Sequence, residues 1–274
     1  MPNSDLPIIT RSRIVRDLRE LGVLPGQAIW LHVSVKAIGW VVGGPDMVIQ
    51  ALLDVLTPEG TLMMLVSWED GTYEMAEWPE EKQRAYLEEC PPFDPLRSRA
   101  YRKWSILTEY LRTWPGACRS NHPDASFAAV GKAAHWITKD HPLQYGYGPG
   151  SPPAKLCEAE GQVLILGSAL SDMTLLHHSE HMARVPGKPI VRYKAPMLIE
   201  GRREWVEIEE FDTNRHIGDW KGESYFDIIP REFLASGNGR SGNVGAAQSY
   251  LFDAHSLNEF AIRWLEGNVG NEEV

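Results

Sequence analysis

Two predominantly apolar stretches separated by a helical pattern constrain the fold of this chain more than any other feature. The stretch QAIWLHVSV at 27–35 has the length and composition of a buried strand, and GTLMMLVSW at 60–68 repeats that pattern. Between them Gly43-Gly44-Pro45 breaks the chain, and Pro45 suits the first turn of a helix through DMVIQALLDVL at 46–56. Because parallel strands need a long crossover connection, this unit predicts a parallel sheet and an α/β fold.

Shorter patterns extend this organisation along the chain. The predicted elements are a helix from Thr10 to Gly22, a helix at 105–114, a strand at 126–131, a helix from Ser151 to Gly161, a strand at 162–168 and a final helix capped by Ser256 and Glu259. Two extended runs around EGRR at 200–203 predict an antiparallel hairpin. We therefore expect a single domain over 1–274 with a mixed, largely parallel central sheet and a separate hairpin.

Three segments carry no regular pattern. Residues 69–100 are polar and proline-marked, which is typical of a long insertion or lid loop. Residues 237–242 fit G-x-G-x-x-G, but no strand precedes them, so they predict a flexible loop and not a dinucleotide site. The tail at 268–274 is expected to be frayed.

Charge balance and cysteine spacing limit the classes of partner. With 27 basic and 37 acidic side chains the net charge is −10, which favours a cationic small molecule over nucleic acid or an anionic membrane. Cys90, Cys118 and Cys157 are widely spaced, so neither a disulfide framework nor a thiolate zinc site is predicted. No signal segment opens the sequence, and no apolar run is long enough to span a bilayer. We expect a cytoplasmic protein with no membrane partner.

The stretch TLLHHSEHMARVPGKP at 174–189 carries the most concentrated chemistry. Its HHSEH matches the H-x-x-E-H pattern of a class of zinc hydrolases, in which two histidines ligate the metal and the glutamate is the general base. On a helix His177 and His181 share a face, and a later carboxylate such as Asp253 would complete the zinc shell. This pattern is short, so a zinc hydrolase is one interpretation among three.

The second interpretation uses no metal. A neutral imidazole at His177 takes a proton from an attacking amine, hydroxyl or water, while Glu180 fixes its tautomer. This helix would begin near Thr174, just beyond an apolar strand, where open α/β sheets place their ligand crevice. The third interpretation is an ordinary polar helix in which His178 and Ser179 face water. These residues alone leave the choice open.

Several motifs, taken in order, resemble one family. They are LHVSVKAIGWVVGGP at 31–45, FDP at 93–95, NHPDASFAAVGKAA at 121–134, HPLQYGYGPGSPPAKL at 141–156, TLLHHSEHMARVPGK at 174–188 and GNVGAAQSYLFDA at 242–254. Together they closely resemble the aminoglycoside 3-N-acetyltransferases, over roughly residues 10–267. The resemblance implies a three-layer α/β/α fold. It also implies transfer of the acetyl group of acetyl-CoA to the 3-amino group of a 2-deoxystreptamine aminoglycoside, which confers antibiotic resistance.

The resemblance also implies roles for individual residues. The T-x-x-H-x-x-E pattern of the family maps onto Thr174, His177 and Glu180, so His177 is the implied general base and His181 has no metal to hold. The family's His-Ser-Ser motif reads His32-Val33-Ser34 here, and donors near Ser34 would hold the thioester carbonyl. The implied cofactor groove comprises His32, Ser34, Val35, Lys36, Ser105, His122 and Phe127. For Val35 and Phe127 a plain core position stays an open alternative.

A polycationic antibiotic requires a pocket lined with carboxylates. The candidates are Glu69, Asp70, Asp172, Glu209, Glu210 and Asp212. For the acidic run at 207–212 a solvated strand edge is the alternative. Two other functions stay open, namely acetylation of another amine-bearing metabolite and binding of a cation without transfer. We expect a monomer or a homodimer.

Overall fold

The computed structural model describes residues 6–215, 217 and 222–269. The strands are β1 (Ile8–Ile9), β2 (Ala28–Val33), β3 (Trp40–Val41), β4 (Thr61–Leu65), β5 (Cys118–Arg119), β6 (Phe127–Gly131), β7 (Gln162–Leu166), β8 (Ile190–Ile199), β9 (Arg202–Phe211), β10 (Arg240–Val244) and β11 (Ala247–Asp253). The α-helices are α1 (Arg11–Leu21), α2 (Val35–Ile38), α3 (Asp46–Leu56), α4 (Glu80–Glu89), α5 (Leu107–Arg112), α6 (Ala134–Thr138), α7 (Pro152–Glu158), α8 (Leu175–Met182), α9 (Tyr225–Ala235) and α10 (Ala254–Asn268). Short 3-10 turns lie at Met75–Glu77 and Leu170–Asp172.

The central sheet has the strand order β10-β11-β7-β2-β4-β6-β5, and β8 and β9 form a separate hairpin. The predicted mixed sheet and antiparallel hairpin are confirmed. The parallel part is smaller than predicted, because only the β7-β2 and β2-β4 ladders are parallel. Strand β6 runs antiparallel to β4, with Leu65 opposite Phe127. The connection at 66–126 thus leaves β4 and enters β6 at the same end of these two strands. It joins antiparallel neighbours and is not the crossover that a parallel pair requires.

The side chains of β2 show why the sheet is covered on both faces. Successive side chains of a strand point to opposite faces. Ala28 and Trp30 pack with residues of α6 to α10, whereas Ile29, Leu31 and Val33 pack with residues of α1, α3 and α5. A helical layer therefore lies on each face of the sheet, and the three-layer α/β/α fold is confirmed.

Most helix boundaries follow the predicted capping residues. The Thr10 hydroxyl accepts a hydrogen bond from the Arg13 backbone N–H, and Gly22, with φ +107°, ends α1. The Ser151 hydroxyl caps α7 in the same way. The final helix starts earlier than predicted, because the Asp253 carboxylate accepts the Ser256 backbone N–H at 2.8 Å and is the cap.

Two segments predicted as loops contain regular structure. Helix α4 lies inside the 69–100 insertion. Strand β10 begins at Arg240, inside the flexible loop predicted at 237–242, and pairs along its length with β11. The insertion also docks on the hairpin, where the Phe93 backbone N–H donates to the Pro196 carbonyl at 2.7 Å and Phe93 packs on Met197. The insertion and the hairpin therefore pack against each other.

The three cysteines are free thiols. Burial raises the pKa of the Cys90 thiol to about 11 and that of Cys157 to about 12, while Cys118 is half-buried. In the part of the chain that the structure describes, the helices are too short or too polar to cross a lipid bilayer. Of the predicted tail, Asn268 ends α10, and 270–274 lie outside the described residues.

Candidate active site

Two adjoining cavities lie where the parallel strands β2, β4 and β7 end. The histidine cavity, of about 550 Å³, is lined by Val33, Leu65 and His177 among others. The acidic cavity, of about 300 Å³, lies beside it and is lined by Glu69, Asp124 and further acidic and aromatic side chains. Both cavities share the residues Trp104, Tyr147, Thr213 and Asn214. They form one cleft at the carboxyl edge of the parallel strands, which is the usual ligand position in α/β sheets.

His177 and Glu180 form a hydrogen-bonded pair one helical turn apart on α8. His177 Nδ1 lies 2.7 Å from Glu180 Oε2, and the Tyr225 hydroxyl donates to Glu180 Oε1. Burial raises the pKa of the Glu180 carboxyl, but the hydrogen bonds and charge of His177 and the Tyr225 hydroxyl outweigh it and hold that pKa below its ordinary value. An ionised Glu180 therefore keeps the proton of neutral His177 on Nδ1. The Nε2 lone pair is then free to accept a proton at the cleft.

The ordinary polar helix is excluded as an interpretation of α8. His178 is buried, and its Nδ1 donates to the Tyr147 carbonyl at 2.7 Å. Ser179 is also buried, and its hydroxyl donates to Asn258 Oδ1 at 2.8 Å. That interpretation required both residues to face water, whereas α8 packs against α7 and α10.

His181 is engaged at both ring nitrogens. Its Nδ1 lies 2.6 Å from the His177 carbonyl oxygen, and its Nε2 lies 2.6 Å from Glu210 Oε1. The Glu210 carboxylate also accepts the backbone N–H groups of Gly146 at 2.5 Å and Phe211 at 2.8 Å, which stabilises its charge. Both side chains are 3% exposed. Both ring nitrogens of His181 are therefore engaged by oxygen atoms of the protein.

This pairing argues against the zinc hydrolase. Both nitrogens of the His181 ring already contact protein oxygens at 2.6 Å, so His181 is not a metal ligand in this arrangement. Asp253, the suggested further ligand, instead caps α10. Across 6–215, 217 and 222–269, no three His, Cys, Asp or Glu side chains are arranged to hold a metal ion.

The residues predicted for the cofactor groove lie in several places. His32 and Ser105 line the histidine cavity, and burial lowers the pKa of His32 to about 3. His122 lines the acidic cavity instead. Val35 and Lys36 line a surface groove beside the Gly43-Gly44-Pro45 turn.

Ser34 and Phe127 make structural contacts within the protein. The Ser34 backbone N–H donates to the Leu166 carbonyl at 3.0 Å, so this donor is not available to a thioester oxygen. Phe127 is fully buried, and its ring centroid lies 4.9 Å from that of Trp30. For Phe127 the core position left open by the sequence is the one observed.

The predicted substrate carboxylates divide into two groups. Glu69 and Glu210 line the acidic cavity, and Asp172 lines the histidine cavity. The second group lines neither cavity: Asp70 is exposed and 3.5 Å from the Tyr86 hydroxyl, Glu209 pairs with Arg192, and Asp212 accepts from the Tyr73 hydroxyl. The cleft therefore brings together three of the six predicted carboxylates.

Sequence reasoning missed several residues of this site, among them Glu74, which also lines the acidic cavity. Tyr225 hydrogen-bonds Glu180, and Asp124 and Tyr193 line the acidic cavity. Asp124 stands inside the quoted motif NHPDASFAAVGKAA, but a single acid there has no distinguishing spacing. Tyr193 is one inward position of a ten-residue strand. The pattern of the sequence offered no sign of their roles.

An imidazole oriented by an ionised carboxylate at the mouth of a cleft defines a site for general-base catalysis. The sequence model described as aminoglycoside 3-N-acetyltransferase matches residues 30–266. Aminoglycoside N(3)-acetyltransferase III from Pseudomonas aeruginosa is 47% identical over 262 residues, covering 96% of this chain and 95% of the relative.

Solved structures give the same result. The crystal structure of aminoglycoside acetyltransferase AAC(3)-Xa superposes with a TM-score of 0.93 at 42% identity, covering 97% of this chain and 95% of the other. AAC-IIIb in a binary complex with CoASH has a TM-score of 0.90 at 45% identity, covering 98% and 100%. The chain belongs to the aminoglycoside 3-N-acetyltransferase family of acyltransferases.

Proposed function

We propose that this chain transfers the acetyl group of acetyl-CoA to the 3-amino group of a 2-deoxystreptamine aminoglycoside and so confers resistance to that antibiotic. The observation that carries the proposal is the pair His177 and Glu180 at the junction of two cavities. Family membership supports the reaction, and the CoASH complex of AAC-IIIb supports the co-substrate.

The chemistry requires a base and a direct transfer. His177 Nε2 takes a proton from the substrate ammonium, and the freed nitrogen lone pair attacks the thioester carbon. The new C–N bond forms and negative charge collects on the carbonyl oxygen. The carbonyl re-forms as the C–S bond breaks, and the second proton of the former ammonium passes to the leaving thiolate, so that the products are the amide and CoASH. His177 then releases the proton that it took to solvent. Glu180 stabilises the imidazolium that His177 has become, which lowers the barrier to proton removal.

The histidine cavity fits the pantetheine arm of the co-substrate. Three of its polar atoms are buried and make no hydrogen bond within the described residues, namely Trp30 Nε1, His32 Nε2 and Ser168 Oγ. Buried polar groups normally have partners, and the amide groups of pantetheine would supply them. The acidic cavity next to it would hold the cationic antibiotic.

The test is the replacement of His177 by alanine, with acetylation of gentamicin followed by CoASH release. We expect kcat to fall by about a hundred- to ten-thousand-fold, the contribution of a general base. His255→Ala is the matched control, because His255 is an exposed histidine on α10 and should leave the rate unchanged. An unchanged rate in His177→Ala would refute the assignment.

Locating the acetyl group on the product tests the regiochemistry. Acetylation at the 3-amino group supports the proposal, and acetylation elsewhere contradicts it. If wild-type protein binds gentamicin without releasing CoASH, the protein is a cation binder and not a transferase. If it acetylates other amines faster than any aminoglycoside, the natural substrate is another metabolite.

We propose the remaining properties on the same basis. The net charge of −10 supports a polycationic small molecule as partner, with neither nucleic acid nor membrane bound. A cytoplasmic location agrees with free thiols and a cytoplasmic co-substrate. The chain is proposed to act as a monomer or homodimer, which light scattering will distinguish.

A further inference from the structure

Arg119 on β5 connects the long insertion to the central sheet. Among the described residues its guanidinium donates from Nε to Ser126 Oγ at 3.1 Å, from Nη1 to the Ser98 carbonyl and from Nη2 to the Ser67 carbonyl. Its Cζ also lies 4.9 Å from the centroid of the Phe93 ring. Ser67 follows β4 and Ser126 precedes β6. Ser98 and Phe93 belong to the insertion, so one side chain binds the insertion and the sheet together.

The Arg119 guanidinium is charged, whereas the three oxygen atoms that accept its hydrogen bonds are neutral. Burial lowers the pKa of Arg119 to about 9, and the charge of Arg112 adds to this. The charges of Glu109 and Asp94 oppose the shift, so the guanidinium remains protonated near neutral pH. A charged donor forms stronger hydrogen bonds than a neutral one, and a planar guanidinium holds several acceptors in one fixed geometry. Arg119 therefore fixes the positions of backbone segments.

Ser67 is the residue at which the chain leaves β4 and reaches the acidic cavity. Its φ of +38° lies in the left-handed region, which residues other than glycine adopt uncommonly. Such a backbone persists where surrounding contacts fix it. The Ser67 backbone N–H donates to the Ser126 carbonyl at 3.1 Å, and its hydroxyl donates to the Asp124 carbonyl. Arg119 completes the set by donating to the Ser67 carbonyl, which precedes the next peptide of the cavity.

Residues at the two ends of the insertion form one wall of the acidic cavity. Trp68 and Glu69 line the cavity at the first end, and Tyr101 lines it at the second. The two ends lie side by side, because the Glu69 backbone N–H donates to the Arg99 carbonyl at 3.0 Å. The position of this cavity wall, defined as Trp68, Glu69 and Tyr101, therefore depends on the contacts of Arg119.

We propose that Arg119 is a positioning residue, which holds the cavity wall in place and thereby sets the affinity of the enzyme for its aminoglycoside. The proposal rests on the proposed function, since it takes the antibiotic as the occupant of the acidic cavity. Arg119 acts through Ser67, which lines that cavity. Among the described residues, none of the four side chains or carbonyls that Arg119 contacts lines the histidine cavity. Binding of acetyl-CoA and the action of His177 should therefore be independent of it.

Two variants weaken the Arg119 contacts to different extents. Arg119→Lys keeps the charge but replaces the planar fork by a single ammonium group, which cannot bind three separate acceptors in the same way. We expect the KM for gentamicin, measured by CoASH release, to rise about 10- to 100-fold. Ser126→Ala removes only the acceptor of Arg119 Nε, so the same KM should rise about 3- to 10-fold. In both variants kcat and the KM for acetyl-CoA should stay within about twofold of wild type, the pattern of a loss in ground-state binding.

Hydrogen exchange gives a readout that requires no activity. In Arg119→Lys the backbone amides of 66–69 and 98–101 should exchange about tenfold faster or more, whereas those of β7 and α8 should exchange as in wild type. Arg231→Lys is the matched control, because Arg231 pairs with Glu223 at an exposed position on α9 and should behave like wild type in both assays. Thermal melting verifies that each variant is folded. If Arg119→Lys does not fold, Ser126→Ala carries the same test, because it shortens one small side chain.

A purely stabilising role for Arg119 predicts a different pattern. Both variants would then melt at lower temperature and exchange faster throughout the chain, while the folded enzyme kept the wild-type KM for gentamicin. That pattern would overturn the proposal, and so would a loss confined to kcat or to the KM for acetyl-CoA.

The two assays keep this proposal distinct from the proposed function. If wild-type protein releases no CoASH with gentamicin, the proposed function fails, and the exchange of 66–69 and 98–101 still decides whether Arg119 holds the cavity wall. If gentamicin is acetylated but neither variant changes its KM, the transferase stands and the role of Arg119 is removed.

Discussion

Replacing Glu180 with glutamine tests the catalytic pair with almost no change of shape. The Glu180 carboxylate faces His177 Nδ1 at 2.7 Å and accepts the Tyr225 hydroxyl, in a residue that is 8% exposed. Its charge contributes most once His177 has taken the proton of the amine, because an imidazolium binds a carboxylate more strongly than a neutral ring does. We therefore expect the loss in kcat and not in KM.

The size of the decrease in kcat follows from the removal of the Glu180 charge. A hydrogen bond to a charged group contributes about 1.5–3 kcal/mol, and low exposure keeps the interaction within this range. At about 1.4 kcal/mol per tenfold change in rate, kcat should fall roughly 10- to 150-fold. This is less than the loss expected for His177→Ala, since the base itself remains.

The assay is steady-state CoASH release at saturating gentamicin and acetyl-CoA. Glu259→Gln provides the matched control, because Glu259 is half-exposed on α10 and its nearest cations are His255 and Arg263. A Glu180→Gln enzyme whose kcat is within twofold of wild type would refute the reasoning. So would a loss confined to KM, which would make Glu180 a substrate ligand.

Three further predictions concern stability, measured by urea unfolding. Burial opposes ionisation of Glu109, but hydrogen bonds from Arg112 and other donors lower its pKa from 4.5 to about 2. Glu109→Gln should therefore lower the free energy of unfolding by about 2–3 kcal/mol at pH 7, and the difference should vanish as pH falls from 4.5 to about 2; a constant difference contradicts this. Phe127→Ala should cost about 3–5 kcal/mol because Phe127 is core, and a change only in the KM for acetyl-CoA would restore it to the cofactor groove. His181→Gln should cost about 1–3 kcal/mol by disturbing the hydrogen bond to the buried Glu210 side chain, and an unchanged free energy of unfolding would show that this contact does not stabilise the fold.

The sequence predicted the interior of the fold better than its periphery. Strands β2 and β4 are predominantly apolar because helices cover both faces, so length and composition suffice to find them. Helix α4 could not be predicted from the sequence, because it has no buried residue and its charged sequence shows no apolar face. Strand β10 was hidden because its Arg240–Val244 sequence is polar and edge-lying, and its hydrogen bonds to β11 define it.

The candidate site shows a similar contrast. Contacts between residues close in the sequence could be predicted, whereas contacts between distant residues could not. His177 and Glu180 are three residues apart on one helix, so their pairing follows from helical geometry. The Tyr225 contact with Glu180 spans 45 residues, and that of Glu210 with His181 spans 29. No spacing rule connects such positions, so the contact of Glu210 with His181 could not be predicted although Glu210 itself was placed at the site.

The burial of two cysteine thiols limits their reaction with the coenzyme that the enzyme releases. Each turnover releases CoASH beside a protein that keeps Cys90 and Cys157 buried and protonated, with pKa values of about 11 and about 12. Thiol–disulfide exchange needs an accessible thiolate, so oxidised coenzyme should form mixed disulfides at neither position. For the same reason, a disulfide reagent used to measure released CoASH should react with at most one protein thiol, Cys118. Turnover can then be followed continuously in the native enzyme.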